Sequence, residues 1–346
     1  MKKLLRIPFV YATVFAVCLS GLFAWKTVGA FHLSMNDLPQ ADGTYETIDR
    51  SQFESGTVAP ATLPPVLEGE DDFPEDEFPV DSGDATTLGE DVTTESAPNA
   101  PVYGYMSYKD DNISIKIRRI KRYDSKVYIA DIYLTSAEYL KTSVASKSLG
   151  KAEDTVRAQA DKVNAILAIN GDYCHRRHSY IIRDGEVIYD KLLYQSGFES
   201  LAIKYDGTLF PFYPKDYTIQ ELLNMGCYDV FDFGPTLVRN GEIDITPDTE
   251  VAITGSGVVN PRTAIGWVDG LHYMMVVVDG RSDASRGVTL YELADILKEQ
   301  GCTYAYNLDG GGSTTMYFNG EIVNQPMTYQ NQYLERTISD IVYIGY

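Results

Sequence analysis

Residues 289–321 read TLYELADILKEQGCTYAYNLDGGGSTTMYFNGE. Thr289 followed three residues later by Glu292 is a capping-box helix start, and Gly301-Cys302 stops that helix. A short apolar strand, residues 304–308, then delivers Asp309 into three consecutive glycines. A second strand follows and ends in Asn319-Gly320-Glu321. Glycine tolerates backbone angles closed to other residues and lets a ligand approach the main chain. Gly310, Gly311 and Gly312 can therefore turn several N–H groups towards one point, a concavity suited to an anion, with Asp309 as the chemical group beside it. Taken alone, three glycines also describe a tight turn between strands.

Working outward, residues 218–242, TIQELLNMGCYDVFDFGPTLVRNGE, run through the same sequence of signals. Thr218 and Glu221 form a second capping-box pair, Gly226-Cys227 a second stop, and Asn240-Gly241-Glu242 a second ending. The spacing predicts two similar helix-strand-turn-strand units side by side, bringing Gly234-Pro235 close to the glycine turn. Cys227 and Cys302 then fall at equivalent strand starts. They pair in an oxidising exterior, leaving Cys174 over, or all three remain reduced and buried. Between the units, NPRTAIGW (260–267) and YMMVVVDGR (273–281) each join an apolar strand to an arginine, Arg262 or Arg281, and the second also delivers Asp279. A guanidinium there requires a carboxylate or an anionic ligand. AILAINGDYC (165–174) is a further buried strand breaking into a turn, with Asn170 and Asp172 at its mouth.

The rest of the chain frames this region. Strands are expected at 113–120 and 126–134, where Ile, Val and Tyr alternate with polar residues, and an amphipathic helix at 147–164, with Leu149, Ala152, Val156, Ala160 and Val163 on one face. Asp184-Gly185, Asp206-Gly207, Asn240-Gly241, Asp269-Gly270 and Asn319-Gly320 are hairpin signals. The fold class is α/β (α+β): a mixed, largely antiparallel sheet with a few packed helices, occupying residues 101–346. The net charge of -20 is concentrated elsewhere. Residues 36–100 hold about 17 acidic side chains against one basic, Arg50. That composition cannot bury enough apolar surface to order itself, so a disordered spacer is expected. Residues 1–35 begin with Lys2, Lys3 and Arg6, and then run uncharged over residues 7–25, enough for a membrane-crossing helix with its amino terminus cytoplasmic. Val28-Gly29-Ala30 offers the competing reading of a cleaved signal peptide. The expected location is a cell membrane, single-pass, with residues 101–346 outside. Nothing in the charge distribution invites nucleic acid.

Two arginines, an anion-friendly turn and two carboxylates make a site for a phosphate-bearing substrate. Cys174, His175 and His178 in CHRRH lack a second ligand cluster and read as exposed basic loop residues, so neither metal nor cofactor is expected. The tyrosine-rich TYQNQYLER (328–336) is either a rim that stacks on sugars or ordinary packing. Arg336 joins the anion site or pairs with an acid.

AINGDYC, FGPTLVRNGE, NPRTAIGW, VVVDGR, NLDGGGSTTMYFNGE and ERTISDIVYI together resemble the phosphodiester glycosidase family, the domain of N-acetylglucosamine-1-phosphodiester alpha-N-acetylglucosaminidases. It also occurs in bacterial proteins labelled as related to exopolysaccharide biosynthesis. The resemblance covers about residues 112–346, with Cys174 standing where an aromatic is expected. It implies hydrolysis of a sugar-1-phosphodiester to free sugar and phosphomonoester. Within it, Asp309 is expected to activate water or attack the anomeric carbon, with Asp279 as second carboxylate or orienting group. Arg262, Arg281, Arg336, Gly310, Gly311, Gly312 and Ser313 are expected to receive the phosphate, and Asn170 and Asp172 the sugar hydroxyls. A non-catalytic module retaining phosphorylated cell-surface glycan, and a metal-dependent phosphodiesterase, stay open beside it.

Overall fold

The structure, a computed structural model, describes residues 43–46, 102–104, 106–145, 154–172, 179–192, 199–249 and 258–346. The apolar run at 7–25 and the CHRRH loop lie outside the described residues. Among the described residues no helix is long and apolar enough to cross a membrane.

Three sheets share one core. The largest has nine strands in the order Val102–Gly104, Ser107–Lys109, Ile113–Arg122, Ser125–Leu134, His272–Val278, Arg262–Asp269, Tyr304–Asn307, Thr236–Arg239, Glu242–Ile243. A five-stranded sheet is centred on Cys227–Phe231, flanked by Ser200–Lys204 and Ile181–Arg183. A second five-stranded sheet is centred on Leu167–Asn170, flanked by Met316–Phe318 and Asp340–Ile344. Every strand pair among the described residues runs antiparallel.

The unbroken apolar run YMMVVV follows from this layering. Tyr273, Met275 and Val277 enter the core shared by the three sheets. Met274, Val276 and Val278 enter a second core, under helix Leu290–Glu299 on the opposite face. With both faces buried, a strand loses polar alternation. Each five-stranded sheet has its own covering helix: Ile219–Asn224 packs over Cys227 and Val230, and Val156–Lys162 over Ala168 and Ile341. Of the helix expected at 147–164, residues 147–153 lie outside the described residues, and among the rest Val156–Lys162 is helical, capped by Thr155.

Both capping boxes form, Thr218 with Glu221 and Thr289 with Glu292. The two units nonetheless enter different sheets. Cys227–Phe231 joins a five-stranded sheet while Tyr304–Asn307 joins the nine-stranded one, where it pairs with Thr236–Arg239. Gly234 reaches the end of the strand before the glycine turn rather than the turn itself: its N–H donates to Asn307 O at 3.2 Å, and Asn307 Nδ2 donates to Gly234 O at 2.7 Å. Cys227 and Cys302, consequently, lie in separate cores and are free thiols. All five Gly-containing turn signals connect antiparallel strands. The longest hairpin turns instead at Tyr123-Asp124, with φ of 49° and 51°, a left-handed pair in which Asp124 is a favoured residue type but Tyr123 is not.

Within the stretch expected to be a free spacer, residues 43–46 lie against the domain. Tyr45 packs, half-buried, against the core covered by the helix Ile219–Asn224 and donates its hydroxyl proton to Asp190 Oδ2 at 2.9 Å. A single half-buried aromatic holds a segment whose composition is otherwise polar.

Candidate active site

Asp309 follows the strand Tyr304–Asn307, third from one edge of the nine-stranded sheet. Its main chain is gripped from the neighbouring sheet on both sides. The Asp309 N–H donates to Gly171 O at 3.1 Å, and Asn170 Nδ2 donates to Asp309 O at 2.7 Å. Its side chain, 5% exposed as a residue, accepts from Gly310 N–H at 2.9 Å, from Ser313 Oγ at 2.5 Å and from Arg336 Nη2 at 2.6 Å. Burial pushes the carboxyl pKa up, and the Arg336 charge and the three donors offset this only in part.

The expected arginines converge here. Arg262 is buried, and its Nε and Nη2 donate to carbonyl oxygens, Val288 at 3.2 Å and Val258 at 2.7 Å. Arg281 is half-buried and holds Thr328 O at 2.7 Å and Asn260 Oδ1 at 3.3 Å. Neither arginine forms an ion pair among the described residues. Burial, then the charge of Arg281, pulls the Arg262 pKa down to about 10. Burial, then the charge of Arg336, lowers that of Arg281. Both remain cations at neutral pH. Three guanidinium groups thus share one carboxylate, and a buried cation without a counter-charge is costly unless a ligand supplies one. Arg281 itself sits at a φ of 59°, a conformation uncommon outside glycine and concentrated at functional sites.

The glycines serve differently from the expectation. The Gly310 N–H is taken by Asp309 and the Gly311 N–H by Pro261 O at 2.9 Å. What Gly311 contributes is room: a Cβ there stands 2.7 Å from Arg281 Nη2, at a φ of +62°. Gly310 and Gly312 are likewise pressed, against Pro261 O and Thr328 Oγ1. Small residues let the arginines close on the turn; the first two amides do not point at a ligand.

Asn170 and Asp172 are not free to hold sugar hydroxyls. Asn170 is fully buried, donates through Nδ2 to Asp309 O and accepts at Oδ1 from Thr263 Oγ1 at 2.8 Å and Thr315 N–H at 3.2 Å. Asp172, also buried, accepts from Arg183 Nη2 at 3.1 Å and the Asp232 N–H at 3.1 Å. Sequence reading missed Arg183, which carries one five-stranded sheet to the other through Asp172 and Asp340 and lies over the Phe231 ring at 4.1 Å. The repeated aspartates at strand ends were the available signal.

Asp279 stands apart from the arginines. Its Oδ1 accepts from Asn324 Nδ2 and the Gln325 N–H, each at 3.0 Å, and among the described residues its Oδ2 has no hydrogen-bond partner of good geometry. Burial first raises its pKa, to about 6. Asn324 also donates to Thr314 O at 3.0 Å, so Asp279 reaches the glycine turn through one intervening side chain. Among the described residues no hydrogen bond joins Asp279 to Asp309.

The profile of the phosphodiester glycosidase family matches residues 163–345. The SPbeta prophage-derived uncharacterized protein YomE of Bacillus subtilis is 30% identical over 200 residues, 56% of this chain and 30% of that protein. The human N-acetylglucosamine-1-phosphodiester alpha-N-acetylglucosaminidase is 30% identical over 196 residues, 53% of this chain and 36% of that protein. The aligned stretch thus makes up about a third of the length of these curated relatives. Among solved structures, the catalytic domain of the zebrafish N-acetylglucosamine-1-phosphodiester alpha-N-acetylglucosaminidase, described as auto-inhibited by pro-peptide, shares the fold. Its TM-score is 0.50 at 22% identity, covering 67% of this chain and 82% of that one.

Proposed function

The chain belongs to the phosphodiester glycosidase family, and from that premise we propose that it hydrolyses a sugar-1-phosphodiester of the N-acetylglucosamine type to free sugar and phosphomonoester. The observation that carries this reading is the pair Arg262 and Arg281, buried or half-buried and without an ion pair among the described residues, beside the carboxylate of Asp309. A phosphomonoester leaves readily because its second pKa is about 6. The leaving oxygen therefore needs charge neutralisation more than a proton. Arg262, Arg281 and Arg336 supply it where charge develops. The C1–O bond breaks with its electron pair on the phosphate. Water adds at C1 and gives its proton to Asp309, whose raised pKa favours holding it. Asp279 acts as an orienting group, fixing Asn324 and through it the exit of the glycine turn.

We place this activity outside the cytoplasm, on a surface or secreted glycan including exopolysaccharide. The support is the apolar run at residues 7–25 behind a basic amino terminus, and the domain is tethered through it. The test is release of N-acetylglucosamine from an alpha-GlcNAc-1-phosphodiester by the whole chain, with Arg281→Ala and Asp309→Asn alongside. Release lost in both variants, with oxygen-18 from water in the sugar, supports the reading. Label in the phosphate, or binding without release that Asp309→Asn leaves intact, overturns it.

A further inference from the structure

Of the seven large apolar side chains that stand exposed among the described residues, four adjoin the arginine cluster: Val258 at 41%, Tyr329 at 61%, Tyr333 at 57% and Leu334 at 50%. Val258 accepts from Arg262 through its carbonyl. The other three belong to the hairpin of Met327–Tyr329 with Gln332–Tyr333 and the residue after it. A two-stranded hairpin is marginal on its own, and this one is fastened to the site. The Arg281 guanidinium donates to Thr328 O at 2.7 Å, and the Asn331 N–H donates back to Arg281 O at 2.8 Å. Thr328 also abuts Gly312. The hairpin therefore holds its apolar side chains at a fixed place relative to the phosphate position, while contributing none of them to a core.

Concentrated apolar surface rimmed by polar groups marks a binding site, and its chemistry discriminates among ligands. Tyrosine stacks on a sugar ring or lies along a hydrocarbon chain equally well. Val258 and Leu334 offer no ring face and no hydrogen bond, which suits hydrocarbon. A phosphate held by the arginines carries the sugar on one ester oxygen; the other ester oxygen leads to whatever the rim receives. We propose that the aglycone is a long-chain alcohol, so that the substrate is a glycosyl phosphodiester of a lipid, with the first carbons of the chain lying on Val258 and the hairpin. This rests on the phosphodiester reading of the same site.

The test uses the whole chain and a series of n-alkyl alpha-GlcNAc-1-phosphates, from methyl through butyl to octyl, below their micelle concentrations. A fully buried methylene is worth about fourfold and a half-covered one about twofold. The kcat/KM for octyl is therefore expected to exceed that for methyl by about a hundredfold, and the Tyr329→Ser/Leu334→Ser double variant to bring that ratio down towards one. Calorimetric Kd values for methyl and octyl phosphate are expected to show the same slope without turnover. Equal kcat/KM and Kd along the series, or a double variant that slows both esters alike and leaves the ratio intact, overturns the proposal; the latter is what stacking on the sugar gives. A chain-length slope in binding with no sugar release from any ester sustains the hydrocarbon site and removes the hydrolase reading instead.

Discussion

Asn170 donates from Nδ2 to the main-chain oxygen of Asp309 at 2.7 Å, across the boundary between two sheets. The same side chain takes Thr263 and Thr315 on its oxygen. Replacing it by alanine leaves several buried polar groups unpaired, each worth about 1–3 kcal/mol. Asn170→Ala is expected to lose at least ~2 kcal/mol in urea denaturation and to lower kcat more than it raises KM. A KM effect with stability unchanged would return Asn170 to the sugar.

Arg262 and Arg281 each carry a pKa depressed by burial and by a neighbouring guanidinium. An anion between them relieves both effects. Inorganic phosphate is therefore expected to raise Tm, by an amount corresponding to about 3 kcal/mol at a hundred times its Kd. In Gly311→Ala the added methyl displaces Arg281, so the shift shrinks; sodium chloride of equal ionic strength serves as the control. No phosphate-specific shift in the wild type would argue against an anion site.

Asp279 binds its proton more tightly when folded, its pKa being about 6 against an ordinary 3.8, because burial disfavours the charge. The folded protein thus holds a proton that the unfolded chain has released. The resulting stabilisation is complete below about pH 4 and is lost as pH rises through 6, a swing of about 3 kcal/mol. Asp229, raised to about 6 by burial as well, acts in the same sense. Asp279→Asn keeps the oxygen that Asn324 and Gln325 use and cannot ionise. Its Tm is expected to exceed that of the wild type at pH 8 and to converge with it near pH 4; the reverse ordering would mean that the charged form is compensated.

Arg183 is buried with Asp172 and Asp340, and Asp229 adds a third carboxylate to its surroundings. Arg183→Met fills similar space but leaves those acids without their cation. Breaking a buried pair by removing one partner costs about 3–5 kcal/mol. Thermal unfolding is expected to show that loss at pH 7 and a smaller one at pH 4, where the acids accept protons. A loss independent of pH would assign the effect to packing on Phe231.

Much of this protein was legible in its sequence because the signals are local. The capping boxes at Thr218 and Thr289, the five glycine turns and the alternating strands follow from backbone preference and side-chain period. The sequence left open whether Arg336 meets the anion or an acid, but that Arg262, Arg281 and Asp309 lie together was foreseeable from strand ends that carry polar groups. Partnership was not. Asn170, Asp172 and Asp279 stand at strand ends like the others, yet only the packing of three sheets decided that Asn170 grips a backbone, that Asp172 meets Arg183, and that Asp279 faces Asn324. Turn and period depend on neighbours in the chain; hydrogen-bond partners far apart in sequence are chosen by how sheets stack, and that choice is made when the shared core closes.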